Sequence, residues 1–127
     1  MIVDASAIGA IIFREDGIAE AAAYIADAPM IAPTLLPFEI ASIASKKRRR
    51  GLLDDVSIER ALAVFESMAI QLVPVRPKDA LVMASQSELS THDASYLWLA
   101  RRFGMTIATF DRRLADAAGV ATIGKTG

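Results

Sequence analysis

Residues 105–114 read MTIATFDRRL: a short apolar, partly β-branched run, then an acid, then basic and apolar residues at the spacing that opens a helix. A run apolar on both faces is how a strand looks when it is buried in a parallel sheet. The same reading extends outward to Met1–Asp4, Met30–Pro33, Ile70–Val75 and Val120–Ile123, so five strands are predicted with Met105–Thr109.

Helical patterns lie between these runs. Leu35–Arg50 carries Pro37 in its first turn, Leu36, Ile40 and Ile43 on one stripe, and Gly51 where a helix ends. The segment after Asp54 and Asp55 places Ile58, Leu62, Phe65 and Ala69 on one side, with the two acids suited to its N-terminus. A third helix is predicted over Asp93–Phe103, stopping at Gly104. Strands alternating with helices predict an α/β domain: a mostly parallel five-stranded sheet between two helical layers.

The 127 residues suit one domain, 1–127, and no repeat or linker divides them. At 54% hydrophobic, 23% charged and a mean hydropathy of +0.37, the chain is globular rather than disordered. It has no Cys, which excludes disulfides and thiolate zinc sites, and His92 is its one histidine. The start MIVDASAIGAIIF lacks a basic leader, carries Asp4 and is too short to span a bilayer, so a cytoplasmic protein is expected. The net charge of −1 does not announce a nucleic-acid binder. Setting aside Asp4, Glu39, Asp93 and Asp111, however, leaves 11 of the 15 acids against 14 bases, a surplus of +3.

Those four acids carry the functional reading. In an open α/β sheet, ligands gather at the carboxyl ends of the strands, where Asp4 and Asp111 fall. Asp4 ends a buried run, an expensive place for a carboxylate without a partner or cation; alternatively it caps the next helix. Glu39 sits at the edge of its helix's buried stripe, as a ligand or a snorkelling side chain. Asp93 and Asp111 are ligands or ordinary helix starters. Together, four hard oxygen donors without sulfur or an imidazole cluster suit Mg²⁺ or Mn²⁺ and metal-assisted phosphoryl transfer.

At these residues the chain resembles the PIN domain, and within it the VapC toxins of toxin–antitoxin pairs. MIVDASA resembles the opening strand and acid, LLPFEIAS the first acidic helix, THDASYLWLA the second, and IATFDRRLADAAGV the final strand, acid and helix. The resemblance spans essentially the whole chain. It implies a three-layer α/β/α fold and an endoribonuclease with one or two Mg²⁺ ions, Mn²⁺ being the alternative, held by Asp4, Glu39, Asp93 and Asp111. Ser6 is implied as a support for Asp4, and Thr109 as orienting Asp111. The implied products carry a 5′-phosphate and a 3′-hydroxyl, and the implied partners are an RNA substrate, a VapB-like antitoxin and a second copy of the chain. Three positions depart from the family's habit: Ala5, Ser42 and His92 stand where Thr, Asn and Tyr are frequent.

Other features have two readings. His92 is either a general base or a polar surface group at a helix start. Lys46, Lys47, Arg48, Arg49 and Arg50 either grip RNA phosphates or complement a helix C-terminus. Tyr96-Leu97-Trp98-Leu99 points around its whole helix, which predicts a homodimer contact near Trp98 unless neighbouring helices cover it. Two rivals compete with the nuclease. A phospho-acceptor receiver domain needs an acceptor Asp after a central strand and a late Lys, but Asp54 and Asp55 open a helix and the late Lys is Lys125. The other is a non-catalytic module that retains the fold.

Overall fold

The computed structural model describes residues 1–124; Lys125, weighed above for the receiver reading, lies outside them. Along the chain come β1 (Ile2–Val3), α1 (Ala5–Ile12), α2 (Ile18–Ile25), β2 (Met30–Pro33), α3 (Leu36–Arg49), α4 (Asp55–Ser67), β3 (Ile70–Val73), α5 (Pro77–Ser87), α6 (Thr91–Phe103), β4 (Ile107–Ala108) and α7 (Arg112–Ala118).

The strands form a parallel sheet in the order β3-β2-β1-β4. Ile2 of β1 is in register with both Ile31 and Ile107, so the first strand is central although it is only two residues long. The chain builds outward through β2 and β3, then returns to place β4 on the other side of β1. This reversal puts the crevice of such a sheet between the ends of β1 and β4. Ile2, Val3, Ile107 and Ala108 are fully buried, as their apolar runs predict. The helices pack in two groups, α1 with α2, α3 and α4, and α6 with α5 and α7; α6 lies along β1, β2 and β4.

The sheet has four strands among the described residues, not five. Val120–Ile123 is not a strand: Gly119 at φ +72° closes α7, and the one backbone bond that follows toward the sheet is Ile123 N–H to Thr109 O, at 2.9 Å. Its apolar character serves burial of Ile123 in the core rather than pairing. β3 ends at Val73 because Pro74 has no N–H to donate. As an edge strand it leaves Gln71 and Leu72 exposed.

Helix α6 begins two residues before Asp93, because the Ser90 hydroxyl caps it by accepting from Asp93 N–H at 3.1 Å. Neighbouring elements of the same chain cover most of the Tyr96–Leu99 run. The sheet, α5 and α7 enclose α6, so Tyr96, Leu97 and Leu99 are buried and Trp98 packs partly buried against the same core. No helix among the described residues is long and apolar enough to cross a membrane.

Candidate metal centre

The crevice between β1 and β4 is organised around Asp4. Its backbone leaves β1 extended at ψ 176° and becomes the N-cap of α1, so the capping reading holds, and one carboxylate oxygen is left free of that cap. Oδ1 accepts from Ala7 N–H at 3.0 Å and from Ser6 Oγ–H at 2.8 Å, while Oδ2 accepts from Thr109 Oγ–H at 2.5 Å. At 6% exposure this carboxylate is nearly sealed from water. Burial pushes its pKa up; the bonds from Thr109, Ala7 and Ser6 pull against that, and the charge of Asp111 adds to the rise.

Ser6 and Thr109 tie the β1 end to the β4 end. Ser6 Oγ accepts from Phe110 N–H at 2.9 Å, and Thr109 Oγ accepts from Asp111 N–H at 2.9 Å. Thr109 thus orients Asp111 through its backbone rather than its carboxylate. The Asp111 carboxylate caps α7, with Oδ1 accepting from Leu114 N–H at 3.0 Å. Phe110, between these two residues, lies over Gly17 so closely that a Cβ at Gly17 would come within 2.9 Å of the ring.

Glu39 and Asp93 come from the other wall. Glu39 is half-buried in the first turn of α3, and its Oε1 accepts from Tyr96 Oη–H at 2.5 Å. Its pKa is raised, by burial first, with Asp93 and Asp4 adding to it and the Tyr96 bond and His92 opposing. Asp93, at the third position of α6, does not cap its helix, since Ser90 does. Its pKa is raised by burial and then by Asp111, against Ser90, His92 and Arg113. The phenol of Tyr96 is pushed well above its usual range by burial and then by Glu39.

Asp4, Glu39 and Asp93 therefore each feel at least one other of the four acids, and the described ion pairs, Lys47–Glu15 and Arg48–Asp55, involve none of the four. An acidic cluster that makes no ion pair among the described residues and offers only carboxylate oxygen has the donor chemistry of a hard divalent cation. As the side chains stand, no three His or acidic groups among the described residues are close enough to hold one ion together. The donor set fits in kind and in charge, and completing a coordination sphere requires the side chains to draw in.

The basic run divides. Lys46 lines a depression with Glu39 and His92, whereas Lys47 binds Glu15 at 3.2 Å with its Nζ 5.5 Å from the centre of the Phe13 ring. Arg48 reaches exposed Asp55 at 3.6 Å, and Arg49 and Arg50 are exposed at the end of α3. His92 is exposed beside Asp93. Tyr96 and Ser90 escaped the sequence reading. The signal for Tyr96 was its place three residues after Asp93, on the same helix face; for Ser90 it was a Ser three residues before an acid.

The sequence is matched over residues 1–120 by the family described as PIN domain. It is 31% identical over 121 residues to ribonuclease VapC3 of Pyrobaculum aerophilum, covering 91% of this chain and 92% of that one. It is 33% identical over 116 residues to ribonuclease VapC9 of Mycobacterium tuberculosis, covering 91% and 89%. Among solved structures, Pyrobaculum aerophilum PAE2754 superposes with a TM-score of 0.76 at 24% identity, covering 95% of this chain and 88% of that one. Mycobacterium tuberculosis VapC20, a Sarcin-Ricin loop cleaving toxin, gives 0.69 at 23%, covering 96% and 97%.

Proposed function

Because the chain belongs to the PIN domain family, we propose that it is an endoribonuclease of the VapC type, the toxin of a VapBC-like pair, acting through Asp4, Glu39, Asp93 and Asp111. The observation that carries this reading is the gathering of four acids from four separate segments at the β1–β4 crevice, none of them in an ion pair among the described residues. Burial raises the pKa of Asp4, Glu39 and Asp93 and neighbouring acids add to each rise, a pattern that favours a functional site over a non-catalytic module.

The four carboxylates would hold a divalent cation, Mg²⁺ being the natural occupant for an all-oxygen set and Mn²⁺ the alternative. When bound, such an ion supplies a water of lowered pKa and neutralises charge at the scissile phosphate. The chain's own part is positional. Ser6, Ala7 and Thr109 fix both oxygens of Asp4, Thr109 and Leu114 fix Asp111, and Tyr96 holds one oxygen of Glu39. His92 and Arg113 moderate the negative charge around Glu39 and Asp93 from the rim.

The rest of the proposal is one domain over residues 1–127, an RNA substrate, a VapB-like antitoxin, assembly as a homodimer and a cytoplasmic site of action. Purified protein should cleave RNA with Mg²⁺ or Mn²⁺, leaving 5′-phosphate ends. Asp93→Asn should lower the rate by on the order of a thousandfold while the protein stays folded by circular dichroism. Full activity in EDTA, or in that variant, would sink the reading.

A further inference from the structure

Phe38 stands at odds with the helix that carries it. The buried stripe of α3 is Leu36, Ile40 and Ala44, and position 38 falls about 200° around the helix from Leu36, on the solvent side. At 80% exposure Phe38 is the most exposed large apolar side chain among the described residues, in a chain only 6% aromatic. The fold has no use for it there.

Its surroundings do. Phe38, Glu39, Ser42, Lys46 and His92 line one depression of about 430 Å³, open to solvent. Phe38, Ser42 and Lys46 succeed one another at i+4 steps, forming a single ridge that runs roughly 12 Å along α3 away from Glu39. His92 comes from α6 and also borders a second depression, of about 490 Å³, with Leu35, Pro77 and Leu81. An aromatic, an imidazole and a lysine around one hollow are the parts used for unpaired nucleotides: rings stack on the base and the cation meets a phosphate.

Resting on the nuclease reading, we propose that this hollow seats one unpaired base of the RNA beside the scissile phosphate. Phe38 stacks on the base, His92 forms the opposite wall, and Lys46 takes the adjacent backbone phosphate. The occupant is RNA rather than a protein side chain because the hollow is continuous with Glu39, where the scissile phosphate has to sit. Of the depressions bordering the crevice, the one at Ser6 and Phe110 is lined by Glu15 and Asp16, whose charge repels an RNA backbone, which leaves a base next to that phosphate this hollow or its neighbour across His92. Duplex RNA, whose bases are already stacked, does not fit the seat.

The test pairs two substitutions at an exposed position, where folding is not at risk. Phe38→Leu keeps apolar bulk but removes the π-face, and Phe38→Trp keeps the face. With Mg²⁺ present, kcat/KM on a single-stranded RNA should fall ten- to a hundredfold in Phe38→Leu and stay within about threefold in Phe38→Trp. Alongside, 2-aminopurine in the RNA should dim on binding to wild type and to Phe38→Trp but stay bright with Phe38→Leu. A kcat/KM unchanged in Phe38→Leu, or an equal loss in both variants, overturns the seat while leaving the nuclease reading intact. Quenching that depends on Phe38 in a wild type that cleaves nothing would support the seat and sink the nuclease. Unchanged RNA values with loss of self-association by light scattering would assign Phe38 to a second copy and overturn the proposal.

Discussion

At the strand-end wall of the site, Asp4 accepts from two hydroxyls and an amide and is nearly sealed from water; at the helix wall, Glu39 holds a single phenol bond and Asp93 is half-exposed. The first wall is built from the central strand and its neighbour, whose residues have no room to move. The second is built from two helices whose side chains reach the crevice from their first turns. Preorganisation and adjustability are thus divided between them: Asp4 is held on both oxygens, and on the proposed metal-site reading any adjustment to a cation would fall to Glu39 and Asp93. Rigid support of one donor set limits how far the others must be positioned by the ligand itself.

Removing one hydroxyl from each wall tests this division most strongly. Thr109 is fully buried, and Thr109→Val strands both an Asp4 oxygen and the Asp111 N–H. Urea unfolding should show a loss of about 2–3 kcal/mol, against about 1 kcal/mol for Tyr96→Phe, where one bond to a half-buried carboxylate is lost. Equal losses would mean the walls are equally rigid.

The acids themselves sharpen the contrast. The folded pKa of Asp93 is raised, so its ionised form costs stability. That cost is absent below the unfolded value and complete above the folded one. Without metal, Asp93→Asn should therefore melt above wild type at pH 7, by less than about 1 kcal/mol, and the gain should vanish near pH 3.5. Asp4→Asn cannot accept both hydroxyl bonds and should be less stable than Asp93→Asn by at least about 1 kcal/mol. The reverse order would deny that Asp4 is the better-held carboxylate.

The smallest effect separates neighbours on α3. Lys46→Ala should reduce the salt dependence of RNA binding by about one unit of slope. Lys47→Ala should leave the slope alone and cost under about 1 kcal/mol of stability, because Lys47 is committed to Glu15 and Phe13. A shared slope change would return the two to one common patch.

The parallel sheet and the burial of Asp4 at a strand end were legible because strand burial and the desolvation cost of a charge are local, and they show in runs such as Met1–Asp4 and Met105–Asp111. What escaped depends on partners distant in sequence. Val120–Ile123 has the composition of a strand, but pairing needs a neighbouring edge, and β4 offers only two residues. The bond from Tyr96 to Glu39 joins residues 57 apart, and no periodicity announces it. α2 and α5 were unread because their apolar residues do not fall on one clear stripe: only Ala21 and Ile25 are buried in one and Ala80 and Met83 in the other. The Tyr96–Leu99 run is apolar all round because α6 is packed by the sheet, α5 and α7, which a helix's own periodicity cannot announce.

The bonds joining Asp4 to Thr109 and Ser6 to Phe110 span 105 and 104 residues, and they also set the order in which a working site can come into being. Synthesis delivers the N-terminal side first. A nascent chain owns Asp4 and Ser6 from the outset, yet its central strand has an open edge until β4 emerges, and Asp4 lacks its second hydroxyl partner for as long. The bonds that join the two strand ends and hold Asp111 are therefore complete only once residues as far as Leu114 are free to fold.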